Sequence, residues 1–157
     1  MKKLNITSSR NISMGKNVFR TKAFSLILPE GWIVDNKGEV LALYPKTKDA
    51  GVVQISTFSS EKPMKNSEIN PKTRLENHIK KQTKDKVKIK VQERMGSISA
   101  ISDFYKLLQN REERCWKMMV AMTKNRMAFV TYNIEWEFRN ARLKDIEEIF
   151  DSLLLES

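Results

Sequence analysis

Cysteine and histidine each occur once in this chain of 157 residues, as Cys115 and His78. A lone cysteine excludes an intramolecular disulfide, and within a strand-like run Cys115 reads as a small buried hydrophobe. One histidine and one cysteine far apart leave no zinc-ligand spacing. Any Ser-His-Asp or Cys-His arrangement would have to use His78, which the pattern puts on the inward stripe of a helix, where it reads as structural. The five glycines form neither a phosphate-binding loop nor a dinucleotide fingerprint. The carboxylate pairs Glu112-Glu113 and Glu147-Glu148 are adjacent in sequence, so their side chains diverge on a strand or helix and make poor acid/base pairs. No stretch nears the roughly 20 apolar residues that a spanning helix needs. The first residues, MKKLNITSSRNISMGKN, carry two lysines without the apolar run of a secretory signal. These absences lead to the expectation of a cytoplasmic, non-enzymatic protein without metal, cofactor or membrane partner.

Acidic residues are also scarce: 19 Asp and Glu against 29 Lys and Arg give a net charge of +10. The excess is uneven. Residues 72–94 hold nine basic and three acidic residues, a net of +6, whereas 135–157 hold three and seven, a net of −4. Such asymmetry fits either a solvated surface or an anionic partner. The candidate patch is Lys72, Arg74, Lys80, Lys81, Lys84, Lys86, Lys88 and Lys90. It lacks the interleaved aromatics that single-stranded nucleic acids stack on.

The longest sustained apolar segment runs from Glu112 to Trp136 and reads as two strands joined at Lys124-Asn125. With those two residues as the loop, Thr123 pairs with Arg126, Met122 with Met127, and so on outward. One face then carries Met122/Met127, Val120/Phe129, Met118/Thr131 and Trp116/Asn133. The other carries Ala121/Ala128, Met119/Val130, Lys117/Tyr132 and Cys115/Ile134. Both faces are mostly apolar, so the hairpin needs a cover on each side. Its four methionines are read as core filler, with an adaptable binding surface as the alternative.

The remaining elements arrange around it. Residues 1–17 are polar and aperiodic, a loose N-terminal segment ahead of one domain over 18–157. Short strands follow at Phe24–Leu28, Trp32–Val34, Val40–Tyr44 and Gly51–Phe58, read as one antiparallel meander. Asn70-Pro71 opens a helix reaching about Thr83, with a thin inward stripe of Leu75, His78, Ile79 and Gln82. Lys86–Arg94 alternates strictly, with Val87, Ile89 and Val91 opposite lysines, a strand near a sheet edge. Ser97–Gln109 follows, with Ile98, Ala100 and Phe104 against Ile101, Tyr105 and Leu107. An amphipathic helix over Arg139–Leu155 closes the chain, its stripe running through Leu143, Ile146, Ile149, Phe150, Leu153 and Leu154. The sum is an α+β fold: an antiparallel sheet flanked by helices, an α/β/α sandwich.

Three local features accompany this order. They are Phe24-Ser25-Leu26-Ile27-Leu28-Pro29-Glu30-Gly31-Trp32, Val53-Gln54-Ile55-Ser56, and the closing Ile149-Phe150-Asp151-Ser152-Leu153. Together they resemble the PsbP-like superfold over residues 18–155. That fold is shared by the photosystem subunit PsbP, the Ran-binding nuclear transport factor Mog and many small bacterial proteins. The motifs concern fold, so no functional residue carries over. The resemblance implies binding of a protein partner, as in an immunity or accessory factor. A pull-down that recovers no specific protein would count against it.

Overall fold

The computed structural model describes residues 7–11, 16–36, 38–47 and 51–156. Its centre is the expected hairpin, β10 (Glu112–Met122) with β11 (Arg126–Glu135), paired from Met122↔Met127 out to Arg114↔Glu135. The turn is not a primed one, since neither Lys124 nor Asn125 has a positive φ. The Thr123 hydroxyl instead accepts from the Asn125 and Arg126 N–H groups at 3.4 and 3.0 Å. Positive-φ turns occur at Met95-Gly96 and Asn110-Arg111, each joining two consecutive antiparallel strands.

Around the hairpin lies an eight-stranded antiparallel sheet. On the β11 side stand β6 (Val52–Ser59), β5 (Leu41–Pro45) and β4 (Trp32–Asp35). On the β10 side stand β8 (Ser97–Ser102) and the edge strand β7 (Ile89–Arg94), while β9 (Tyr105–Gln109) pairs with the outer half of β10. The meander expected over the first half is divided. A second sheet holds β1 (Thr7–Asn11), β2 (Lys16–Arg20), β3 (Phe24–Leu28) and β12 (Leu154–Leu155). β1 and the first two residues of β2 lie within the segment 1–17 expected to be loose; the rest of 1–15 is outside the described residues.

The division falls at the Pro29-Glu30-Gly31-Trp32 turn, closed by Trp32 N–H to the Pro29 carbonyl, with Gly31 at φ +83° where a side chain would be strained. The closing helix is also shorter than expected. Helix α2 spans Leu143–Ser152, after a single 3-10 turn at Trp136–Phe138, and Leu154–Leu155 leave it to pair with β3. An apolar Leu-Leu-Leu run satisfies a helical stripe and a strand equally, and pairing with β3 decides between them. Ser152 fixes the junction: its hydroxyl accepts from Ile27 N–H at 2.8 Å and donates to the Ile149 carbonyl at 3.3 Å. Trp32 Nε1 donates to Asp145 at 2.9 Å, tying the turn to α2.

One face of the large sheet is therefore covered jointly. Ile146, Ile149 and Phe150 of α2 and Phe19, Phe24 and Leu26 of the small sheet bury Met119, Ala121, Ala128, Val130, Tyr132 and Ile134. The other face has one helix, α1 (Pro71–Gln82), capped by Asn70, whose side chain accepts from Thr73 N–H at 3.1 Å. Leu75 and Ile79 are buried against Ala100, Tyr105, Leu107, Met118 and Val120.

The faces of Ser97–Gln109 differ from strict alternation. Ala100, Tyr105 and Leu107 share the α1 side, while Ile101 and Phe104 face α2. The reason is a β-bulge. From Ile101 to Tyr105 the chain takes four steps, opposite three from Met119 to Trp116. Ser102 secures it, its hydroxyl accepting from Met118 N–H at 2.9 Å and its carbonyl from Lys117 Nζ at 2.7 Å.

Candidate functional site

Helix α1 packs mainly on β8 and β10 and touches β7, reaching β11 through the His78 ring over Phe129, so that the face of β6 and β5 is the less covered part. Register places Met127 beside Phe58, Phe129 beside Ser56, and Thr131 beside Gln54 and Ala42 on this open side. Phe58 is 54% exposed and Val40 40% exposed, while Met127, Phe129 and Thr131 are half-buried. The hairpin's second dry face is thus covered over β10 and only partly covered over β11.

A trough runs along the open edge of α1. Arg74, His78 and Gln82, at helical spacing i, i+4, i+8, form its upper rim, and Val120, Met127 and Phe129 its floor. At the hairpin end it widens to a cavity of about 300 Å³ that Phe58 and Ser56 complete. Further along, a second cavity of about 320 Å³ adds Val40, Gln54, Trp116 and Thr131. The Trp116 indole N–H is buried and has no hydrogen-bond partner among the described residues. Gln82 is held in place, accepting from the Tyr105 hydroxyl at 2.9 Å.

His78 was expected on the inward stripe but is exposed at the rim. Its ring meets Phe129 edge-on, centroids 4.9 Å apart. Partial burial, and then the Lys81 charge, lower its pKa below the ordinary 6.5.

The eight residues of the candidate basic patch do not share one surface. Lys72, Lys80, Lys86 and Lys88 converge on a groove of about 390 Å³ along the opposite edge of α1, with Glu76 and Asp85 among them and Ile79, Val87 and Ile89 at its base. Arg74 belongs to the trough and Lys81 lies near His78. Lys84 is exposed just past the helix. Lys90 points to the α2 side, where it pairs with Asp151 at 2.8 Å. The lysine side of β7 is accordingly not simply wet, since Arg94 also donates to the Leu153 carbonyl at 3.3 Å. Val91, expected to face inward, is instead 52% exposed. Among the described residues no cluster of His, Cys, Asp and Glu could hold a metal ion, and no helix is long and apolar enough to cross a membrane.

The sequence signal for the trough was the pairing of two dry faces with one thin helical stripe. Its rim was not legible, because Arg74 counted only as one charge among many.

The architecture is the α+β fold of the PsbP-like type, and solved structures show the likeness directly. LpqN, involved in cell envelope biogenesis of Mycobacterium tuberculosis, is similar with a TM-score of 0.62 at 8% identity, covering 99% of this chain and 93% of that one. Cyanobacterial PsbP (CyanoP) from Synechocystis sp. PCC 6803 is similar with a TM-score of 0.54 at 11% identity, covering 99% and 95%. A protein from Bacteroides thetaiotaomicron VPI-5482 matches with a TM-score of 0.56 at 14% identity over 85% of this chain, which spans only 45% of that longer one. No family model and no curated protein matches. At these identities the likeness concerns the fold alone.

Proposed function

We propose that the protein is a non-enzymatic binding module that engages a protein partner through the open half of the α1 face. The observation that carries this reading is the exposed Phe58 ring beside the half-buried Met127 and Phe129, at the edge where α1 meets β11 through His78. Contiguous apolar surface of this kind marks interaction sites. The half-exposed methionine and aromatic side chains suit an adaptable contact. An immunity or accessory role fits such a module, and the Ran-binding relative in the sequence resemblance is a precedent for this fold binding a protein. The same reading keeps the cytoplasmic location expected from the sequence. LpqN's role in the envelope is the reason to test that location by fractionating the native host.

The test compares proteins recovered from that host by the wild-type chain and by a Phe58→Ser/Phe129→Ser variant, scored by quantitative mass spectrometry. A specific protein retained by the wild type and lost by the variant is the expected result. Equal recovery by both rules out this surface.

The groove of Lys72, Lys80, Lys86 and Lys88 supports a second reading, a polyanion binder. Four phosphate contacts on duplex DNA would give a slope of about −3.6 in log affinity against log salt. Absence of binding at low salt ends that reading.

A further inference from the structure

The hairpin end of the trough combines an apolar cup with cationic groups and no acid. Its lining contains Arg74 and His78 but no carboxylate. Among the described residues the Arg74 guanidinium has no ion pair, and the His78 imidazole makes only its ring contact with Phe129. This sets it apart from the lysine groove, where Glu76 and Asp85 stand among the cations. An unpaired guanidinium at the mouth of a cup floored by Val120, Met127 and Phe129 matches a ligand with two parts: an apolar body for the cup and an anion for the rim.

We propose that this cup is the anchor subsite of the partner-binding face, taking an apolar side chain with a carboxylate directly beside it. Resting on the reading above, this names the chemistry that the partner presents. The occupant is the end of a partner chain whose last residue is Leu or Phe, which offers that pairing. A second copy of this chain is a poor occupant by charge, since each copy carries +10 and the rim is itself basic. The cavity of about 300 Å³ admits one large side chain and its carboxylate. The guanidinium contributes a planar fork to the anion, and the Phe129 and Met127 surface excludes water from one side of the pair.

The probes are N-acetyl-leucine and its neutral counterpart N-acetyl-leucinamide. Binding is read by NMR from the Hε1 signal of the His78 imidazole, which is unique because the chain has one histidine. The expected result is a saturable shift with the acid and affinity at least about tenfold weaker for the amide, the size of one charge-assisted hydrogen bond. Arg74→Gln should abolish the preference for the acid, Arg74→Lys should restore part of it, and Lys144→Gln, an equal loss of charge on α2, should leave it unchanged. Acid and amide binding alike, neither binding, or a preference surviving in Arg74→Gln each overturns the proposal. A His78 signal that moves when the protein alone is diluted identifies a second copy as the occupant and overturns it too. The wider reading fails separately, when the Phe58→Ser/Phe129→Ser variant keeps every protein the wild type recovers.

Discussion

Lys117 sets an ammonium inside the covered face of the large sheet. It is 5% exposed, in the middle of β10, between the Phe104 and Phe150 rings at 4.7 and 5.5 Å. One of its three donors is used, to the Ser102 carbonyl at 2.7 Å. Burial lowers its pKa below 10.5, with Lys90 adding to the shift, while Asp103, Asp151 and Glu147 oppose it. Desolvation therefore outweighs the nearby carboxylates, and the ammonium destabilises the fold at neutral pH. Lys117→Met keeps an unbranched chain between the two rings and removes the charge. Relieving a buried ammonium recovers about 4 kcal/mol, losing its two ring contacts costs about 1 kcal/mol, and leaving the Ser102 carbonyl without its donor costs about 1–2 kcal/mol. The net gain is about 1–2 kcal/mol, or ~3–6 °C in Tm for a chain of this size.

The pH dependence carries the sharper test. Below the folded pKa both states hold the proton and the cost is fully present. Between that value and the unfolded 10.5 the unfolded chain binds more protons, so wild-type stability rises by up to ~1.4 kcal/mol per pH unit. The advantage of Lys117→Met should thus be greatest at pH 7 and shrink as pH approaches 10.5. Cys115, pushed from 9.0 up to about 11, and Tyr105 and Tyr132, also raised by burial, act in the opposite sense. The fold keeps their protons where the unfolded chain has lost them, lowering stability above pH 9. Tyr105 and Tyr132 are common to both proteins and drop out of the difference, while Cys115, whose thiol the Lys117 charge partly lowers, is pushed further up in the variant, which can only add to the loss of its advantage at high pH. Urea unfolding of the two proteins at pH 7, 8, 9 and 10 supplies the comparison. A variant less stable than wild type by more than about 1 kcal/mol at pH 7, with a difference flat to pH 10, would refute the reasoning.

Three further outcomes follow. Leu75→Ala removes the fully buried anchor of α1 and should cost about 3 kcal/mol, with amide exchange in residues 71–82 accelerating before that of β10. Gly51→Ala sets a Cβ against the Asn133 carbonyl, 2.8 Å from Tyr132 Cε1 and 2.9 Å from Ile134 Cβ, and should cost at least about 2 kcal/mol in thermal unfolding. Cys115, buried and with its thiol raised to about 11, should resist a disulfide reagent at pH 8 in the native fold and react fully in 6 M guanidinium.

What could be read from sequence was local. The register from Met122↔Met127 outward follows from a two-residue loop, whatever that loop's conformation. Asn70-Pro71 announced the start of α1 because capping chemistry is short-range. The misreadings were all matters of long-range choice. Alternation in Phe24–Leu28 marks a strand but not which sheet it joins, and pairing with β2 and β12 sends it to the small one. Alternation through Ser97–Gln109 assumes no bulge, and nothing in Ser102-Asp103-Phe104 signals one. Counting charges over 72–94 cannot say that Lys72 and Arg74 lie on opposite edges of one helix.

The bulge also accounts for why half a sheet face stays open. By shifting phase, it turns Tyr105 and Leu107 toward α1, beside Ala100, Met118 and Val120. The apolar ground available to a helix is therefore concentrated over β8, β9 and the inner part of β10. A helix with only Pro71, Leu75 and Ile79 buried spans about two strands, given spacing of ~4.8 Å between strands and ~10 Å across a helix. It settles where burial is densest and stops there, held by the Tyr105 to Gln82 hydrogen bond. If this same sequence paired without the bulge, Phe104 would fall opposite Trp116 and face α1 in place of Tyr105, and that hydrogen bond would be lost. The trough between α1 and β6 is thus set by one inserted residue, from the strand that also positions Lys117 on the opposite face. Stability of the covered side and openness of the other meet at Ser102, whose hydroxyl and carbonyl hold the two neighbouring residues of β10.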